Sequence, residues 1–229
     1  MSEQLSKNVQ SVNQRIAEAA VRSGRTADDV QLVAVTKYVD ANVTEQLVQA
    51  GCHCLGESRP QLLWEKGEAL SELPIQWHMI GHLQRNKVKR TVAVAELIHS
   101  VDSDRLMRAI HEAGKEADRQ VRILIEVNVS GESAKQGYEA ADLQPALELA
   151  TTLPNVSVCG LMCMAGLGGD TDEARREFAH LRVLRDQHSD FRTDNVQLDE
   201  LSMGMSGDFE IAIEEGATIV RVGSLLFKE

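Results

Sequence analysis

Gln31-Leu32-Val33-Ala34-Val35-Thr36-Lys37 is an apolar, β-branched run that stops on an ammonium group, with Tyr38-Val39-Asp40 leading out of it. A run this short, without clean alternation, suits a strand covered on both faces, as in a parallel sheet. Side chains at the carboxyl ends of such strands line ligand sites. Two readings of Lys37 follow. Held between apolar walls it would have its pKa lowered by desolvation, and the neutral amine could attack a carbonyl to form a Schiff base. Alternatively it is a surface lysine closing an ordinary strand. The stretch by itself leaves both open.

On the amino-terminal side of this strand, Leu5, Val9, Val12, Ile16 and Ala20 recur at helical spacing over 3–23, and Gly24 stops the helix. On the other side, Val43, Leu47, Val48 and Ala50 mark a helix that ends before Gly51. A short strand over 52–56 delivers Glu57 and Ser58, and Pro60 opens a helix to about residue 70, because a first-turn proline loses no needed donor. The third strand, 75–80, carries Trp77 and His78 and breaks at Gly81-His82-Leu83-Gln84. His78 and His82 could reach a ligand or be hydrogen-bonded structural histidines. A fourth strand, 97–101, ends at Asp102, and Ser103 or Asp104 can cap a helix to about residue 118.

The fifth strand, 121–129, ends around Asn128, Ser130 and Gly131, with a helix following over 143–152. Pro154-Asn155 turns into a sixth strand, 156–162, and Gly166, Gly168 and Gly169 connect it to a long helix over 172–188. Those glycines are a weak phosphate signal, since no helix starts directly after them. The last third reads as a strand at 198–202, the small-residue loop Met203-Gly204-Met205-Ser206-Gly207, a helix over 208–215 and a final strand, 218–222, running into Gly223-Ser224. Small residues with free N–H groups can approach an anion closely, and a helix starting near Asp208 adds partial positive charge. This pair of loops is the phosphate-site candidate.

About eight strands separated by helical segments predict a parallel α/β fold, a compact (β/α)8 TIM-type barrel with an extra N-terminal helix and one domain over 1–229. An open doubly wound sheet is the alternative, but no GxGxxG follows the first strand.

Composition narrows the function classes. A formal charge of -11 disfavours attraction to a phosphate backbone, and an aromatic share of 3% offers no stacking surface for single-stranded nucleic acid. The basic segment Arg85, Lys87, Lys89 and Arg90 reads as a solvated helix face. No apolar run is long enough for a membrane helix, and Met1-Ser2-Glu3-Gln4-Leu5 has no signal-peptide character, so we expect a cytoplasmic protein that binds neither membrane nor nucleic acid. Cys52, Cys54, Cys159 and Cys163 have neither disulfide-framework nor zinc spacing; reduced core thiols and no metal are expected.

Taken together, LVAVTK ending at Lys37, WHMIGHLQRNKVK from Trp77 and LSMGMSGDFEIAIEEGATIVRVGS from Leu201 resemble the pyridoxal-phosphate homeostasis protein family, single-domain relatives of the alanine racemase barrel. The resemblance covers almost the whole chain in the same order. It implies pyridoxal 5′-phosphate as cofactor, held as an aldimine by Lys37, with Arg221 facing the pyridine nitrogen and Ser206, Gly223 and Ser224 at the phosphate. An arginine there would weaken the ring as an electron sink. Gly56-Glu57-Ser58-Arg59 departs from the family's usual Gly-Glu-Asn-Tyr, and Lys228 stands where a glycine often follows the final Phe, so contacts from that Asn or Tyr are in doubt.

The function so implied is storing or delivering the cofactor in vitamin B6 homeostasis, as a monomer without established catalysis, with apo-enzymes that depend on pyridoxal phosphate as recipients. A racemase-like enzyme is the first alternative, but the β domain such racemases add is expected to be missing after Glu229. A cofactor-free Schiff-base aldolase using Lys37 is the second.

Overall fold

The computed structural model describes residues 2–130, 136–166 and 170–228; Gly131, Gly168 and Gly169 lie outside these residues. After helix α1 (Ser2–Arg22), eight parallel strands close into a barrel: β1 (Gln31–Val35), β2 (Cys54–Glu57), β3 (Gln76–Met79), β4 (Leu97–Val101), β5 (Val121–Glu126), β6 (Val156–Met162), β7 (Val196–Ser202) and β8 (Ile219–Val222). Every crossover carries a helix: α2 (Ala41–Gln49), α3 (Pro60–Ala69), α4 (Val88–Val92), α5 (Asp104–Glu116), α6 (Leu143–Thr151), α7 (Thr171–Gln187) and α8 (Phe209–Glu214). β8 pairs with β1 in the register Val33↔Arg221, which excludes the open sheet and gives the (β/α)8 barrel with its extra N-terminal helix.

Local chemistry explains most element ends. Asp40 caps α2 by accepting from Val43 N, Pro60 opens α3, and Asp170 caps α7 by accepting from Glu173 N. β1 is two residues shorter than the apolar run suggests. Thr36 N still bonds Gly56 O, but Val39 N then donates to Thr36 O, so Lys37 stands in a turn rather than on the strand.

Two packing layers result. The larger lies between the strands and the surrounding helices. The smaller, Val33, Cys54, Leu97, Leu124, Met162 and Ile219, fills the barrel itself. Alternate residues of a strand share a face, so His99, Glu126 and Arg221, each two positions beyond a member of that inner cluster, point into the barrel toward its carboxyl-terminal mouth.

α1 buries Leu5, Val9, Val12, Ile16, Ala19 and Ala20 and fastens to the last βα unit. Arg15 makes two 2.8 Å bonds to the Glu210 carboxylate with its guanidinium over the Phe209 ring, and Asn8 Nδ2 donates to Lys228 O at 2.8 Å. The extra helix thus supports the segment that carries the small-residue loops. Among the described residues no helix is long and apolar enough to cross a membrane. None of the four cysteines is in a disulfide, and three of them are buried.

Candidate functional site

A cavity of about 570 Å³ opens at the carboxyl ends of the strands, within the range of small-molecule sites. Lys37, Ser206, Arg221, Gly223 and Ser224 all line it, although Lys37 and the others come from opposite ends of the chain. Closure of β8 onto β1 brings them together. Lys37 differs from the sequence expectation in one respect: it is exposed at the mouth of the cavity rather than buried, with Nζ 4.9 Å from the centroid of the Tyr38 ring, while Val35, Val39 and Ile80 supply apolar wall beside it. The early end of β1 is the reason, since residues 37–39 form a turn at the rim of the cavity instead of continuing the strand.

On the β7–β8 side, Gly223 N donates to Ser206 Oγ at 3.1 Å and ties the two small-residue loops into one wall. A Cβ at Gly223 would sit 3.3 Å from Val35 Cβ, tight packing that keeps this backbone close to β1. Gly204 has φ +92, and a Cβ there would lie 2.5 Å from Ala212 Cβ and 2.9 Å from Phe209 Cα, so the loop needs glycine. The helix expected to lend positive charge is only the six residues of α8, and Asp208 at its N-cap accepts from Met205 N at 2.5 Å. Burial raises the pKa of the Asp208 carboxyl, against the Met205 bond and the Arg221 charge. Donors for an anion here are therefore hydroxyl and loop N–H groups rather than a helix dipole.

Arg221 is 5% exposed and lines the cavity while two of its N–H donors are anchored behind it. Nη1 donates to Ser202 Oγ at 2.5 Å and Nη2 to Cys163 O at 2.9 Å. Burial lowers its pKa, while the charges of Cys163, Glu126 and Asp208 oppose that. The chain continues through the barrel: Ser202 Oγ lies 2.8 Å from His99 Nδ1, His99 Nε2 lies 2.9 Å from His78 Nδ1, and His78 Nε2 lies 3.4 Å from Cys54 Sγ.

Donor counting fixes its direction. A guanidinium can only donate, so the Ser202 hydroxyl accepts from it and turns its own proton to His99 Nδ1. Each neutral imidazole then carries its proton on Nε2 and passes a donor onward, His99 to His78 and His78 toward the Cys54 sulfur. Neutrality follows from surroundings: burial, then the charge of Arg122, brings His78 down to about 4, and burial, His78 and Arg221 hold His99 well below the usual imidazole range. His78 is thus a structural member of this chain, whereas His82 lines the cavity with Nδ1 3.3 Å from Asp102 Oδ2.

Behind Lys37 a second buried group forms. Lys66 Nζ pairs with Glu57 Oε1 and donates to Thr36 O at 2.7 Å, and Thr36 Oγ1 donates to Glu57 Oε1 at 2.8 Å. It anchors the backbone one residue before the candidate lysine. Ser58 lines the cavity, while Arg59 takes the N-cap position of α3. The basic segment packs its stems: Lys87 Nζ and the Arg90 guanidinium lie 5.6 and 4.3 Å from the centroid of the Trp64 ring, and Lys89 pairs with Glu116 at 2.7 Å. Among the described residues no cluster of His, Cys, Asp or Glu could hold a metal ion.

Sequence reasoning passed over His99, Ser202, Glu126 and Lys66. A signal existed for Glu126, the one acid in the apolar run Ile123-Leu124-Ile125-Glu126-Val127, and for His99, a lone ring within Leu97-Ile98-His99-Ser100-Val101. Residues of these kinds inside a strand covered on both faces must find partners or face a cavity.

The alanine racemase N-terminal domain family matches residues 3–229. The pyridoxal phosphate homeostasis protein of Aquifex aeolicus is 43% identical, with 95% of each chain covered. Among solved structures, an unknown protein from Bifidobacterium adolescentis superposes with a TM-score of 0.93 at 36% identity, covering 99% of this chain and 95% of that one. PipY of Synechococcus elongatus with PLP bound superposes with a TM-score of 0.82 at 34% identity, covering 93% of this chain and 100% of its own. Likeness of this extent, over a barrel whose mouth gathers the lysine, the arginine and the small-residue loops, means that the chain belongs to the pyridoxal phosphate homeostasis protein family, built on the barrel of the alanine racemase N-terminal domain.

Proposed function

We propose that this protein binds pyridoxal 5′-phosphate in the cavity at the barrel mouth and serves vitamin B6 homeostasis by storing the cofactor and delivering it. The observation that carries the reading is the meeting of one exposed amine, one buried guanidinium and a wall of hydroxyl and N–H donors around a single cavity. That set fits a ligand with a carbonyl, a pyridine nitrogen and a phosphate. The name of the Aquifex relative and the PLP-bound PipY support it independently.

When bound, the cofactor supplies an aldehyde that condenses with an amine and a ring that can withdraw electrons. Lys37 is the attaching amine in this reading, and Ser206, Gly223 and Ser224 hold the phosphate. Arg221 faces the ring nitrogen. Because guanidinium keeps its proton, it gives the ring none and leaves it a weak electron sink, which favours holding over transforming. Because Lys37 is exposed at the mouth, the carbon it would hold would lie open to other amines, and a free amine or the lysine of an apo-enzyme could take the cofactor over, with the Lys37 amine as the leaving group. We take 1–229 as a single cofactor-binding domain, acting as a cytoplasmic monomer, with apo-enzymes as recipients.

The test mixes loaded protein with an apo-enzyme that requires the cofactor and, separately, with single-enantiomer amino acids in deuterated water. Restored apo-enzyme activity without α-proton exchange above that of free cofactor is the expected result. Rapid exchange with a defined substrate preference would replace the carrier reading with a racemase-like one.

A further inference from the structure

Glu126 ends β5 and is 4% exposed. Leu124 sits in the inner cluster, so the Glu126 side chain points inward one layer nearer the mouth, where it lines the cavity with Lys37, His82 and Arg221. Among the described residues nothing hydrogen-bonds its carboxyl. Arg221 makes no hydrogen bond to it; the two bonds its guanidinium makes go to Ser202 and Cys163. An inward carboxyl without a donor is costly as a carboxylate and calls for a partner in the cavity.

The charges around it come from four elements. Asp102 follows β4 and opposes ionisation, Arg221 on β8 favours it, and Lys37 and His82 stand on the cavity wall after β1 and β3. Its pairing neighbour on β6, Met162, carries no charge. Burial outweighs the rest and, with Asp102, pushes the carboxyl up to about 7.

We propose that Glu126 is the protonated wall of the cofactor cavity: as an acid it donates its O–H to an acceptor on the bound phosphorylated pyridine, and as a carboxylate it opposes that ligand's negative charge, so that binding takes up one proton from solvent at this side chain. This rests on the cofactor reading above. With the phosphate assigned to Ser206, Gly223 and Ser224 and the ring nitrogen to Arg221, the acceptor left to Glu126 is the ring oxygen beside the aldehyde. Capture is then favoured at lower pH and release at higher pH.

The experiment measures binding of pyridoxine 5′-phosphate, which has no aldehyde to react with Lys37, and of pyridoxal 5′-phosphate, to the full chain between about pH 6.5 and pH 8.5. Calorimetry in two buffers of different ionisation enthalpy counts protons. The pyridinium proton that the ring gives up opposite Arg221 is common to parent and variant, so we expect the parent to take up about one proton more per ligand near pH 8 than Glu126→Gln, and its affinity for pyridoxine 5′-phosphate relative to that variant to fall about tenfold per pH unit above 7, as one linked proton requires. Glu126→Asp should keep the extra uptake. Equal proton counts and slopes in parent and Glu126→Gln overturn the proposal. Should the glutamine variant fail to fold, Glu126→Met is the reference, and a parent count near pH 8 equal to that of Glu126→Met is fatal. A parent that binds neither ligand removes the cofactor reading and this one with it, whereas a parent that binds both without the extra proton removes only the role of Glu126.

Discussion

Lys66→Met separates the support behind the candidate lysine from the lysine itself. Lys66 on α3 and Glu57 at the end of β2 are both buried; one ammonium serves the Glu57 carboxylate and the Thr36 carbonyl, and Glu57 Oε2 has no partner among the described residues. Methionine keeps the stem but removes every donor, which leaves a carboxylate with only the Thr36 hydroxyl in a dry interior. Removing one member of a buried pair costs about 3–5 kcal/mol. At about 2–4 °C per kcal/mol for a chain of this size, Tm should drop by roughly 6–20 °C.

Thr36 O also loses the Lys66 donor and keeps only Val39 N, one residue before Lys37, so covalent fixation of the cofactor should slow. Lys66→Met with Glu57→Leu removes both charges and should recover most of the loss, because apolar replacement of a whole buried pair is often neutral. Urea and thermal unfolding of parent, single and double variants measure this. A single variant within about 1 kcal/mol of the parent, or a double variant less stable than the single, refutes the reasoning.

Glu126→Gln should become more stable relative to the parent as pH rises. The native carboxyl at about 7 lies above its usual 4.5, so the stability it lends is full below about 4.5 and is lost as pH climbs through 7, while glutamine loses none. The gap between the two proteins should widen by up to about 3 kcal/mol between pH 5 and pH 8 in urea unfolding, and the opposite trend from His78 cancels in the comparison. Gly204→Ala, forced into positive φ and against Phe209 and Ala212, should cost about 2 kcal/mol or more; unchanged unfolding would show that the loop tolerates a Cβ. Ser224→Asp, at an exposed position, should leave stability alone but weaken pyridoxal phosphate about tenfold relative to pyridoxal in binding titrations, and an equal effect on both ligands would put the phosphate elsewhere.

The barrel was legible because each strand is a short apolar run set off by polar, Gly or Pro residues. β4 and β6 begin and end where the sequence places them, between Glu96 and Asp102 and after Pro154-Asn155. β1 was read two residues long because Thr36 and Lys37 continue its pattern, and only the Val39–Thr36 turn ends it. The motifs of the site were legible as well, since Lys37, the 203–207 loop and Gly223-Ser224 are local features. What they rest on was not. His99 meets Ser202 across 103 positions, and Lys66 meets Glu57 only because a helix folds back over its strand, so neither contact has a spacing that a sequence displays. The exposure of Lys37 escaped for a similar reason: Val35 and Val39 do line the cavity, but the turn that ends β1 before Lys37 leaves its side chain open to solvent at the rim.

Covalent capture of the cofactor at Lys37 can be trapped directly. Protein incubated with pyridoxal 5′-phosphate, reduced with borohydride and digested should give one stoichiometric adduct, on the peptide containing Lys37, and Lys37→Ala should give none while still binding pyridoxine 5′-phosphate. An adduct on another lysine, or a Lys37→Ala protein labelled as fully as the parent, would contradict the account.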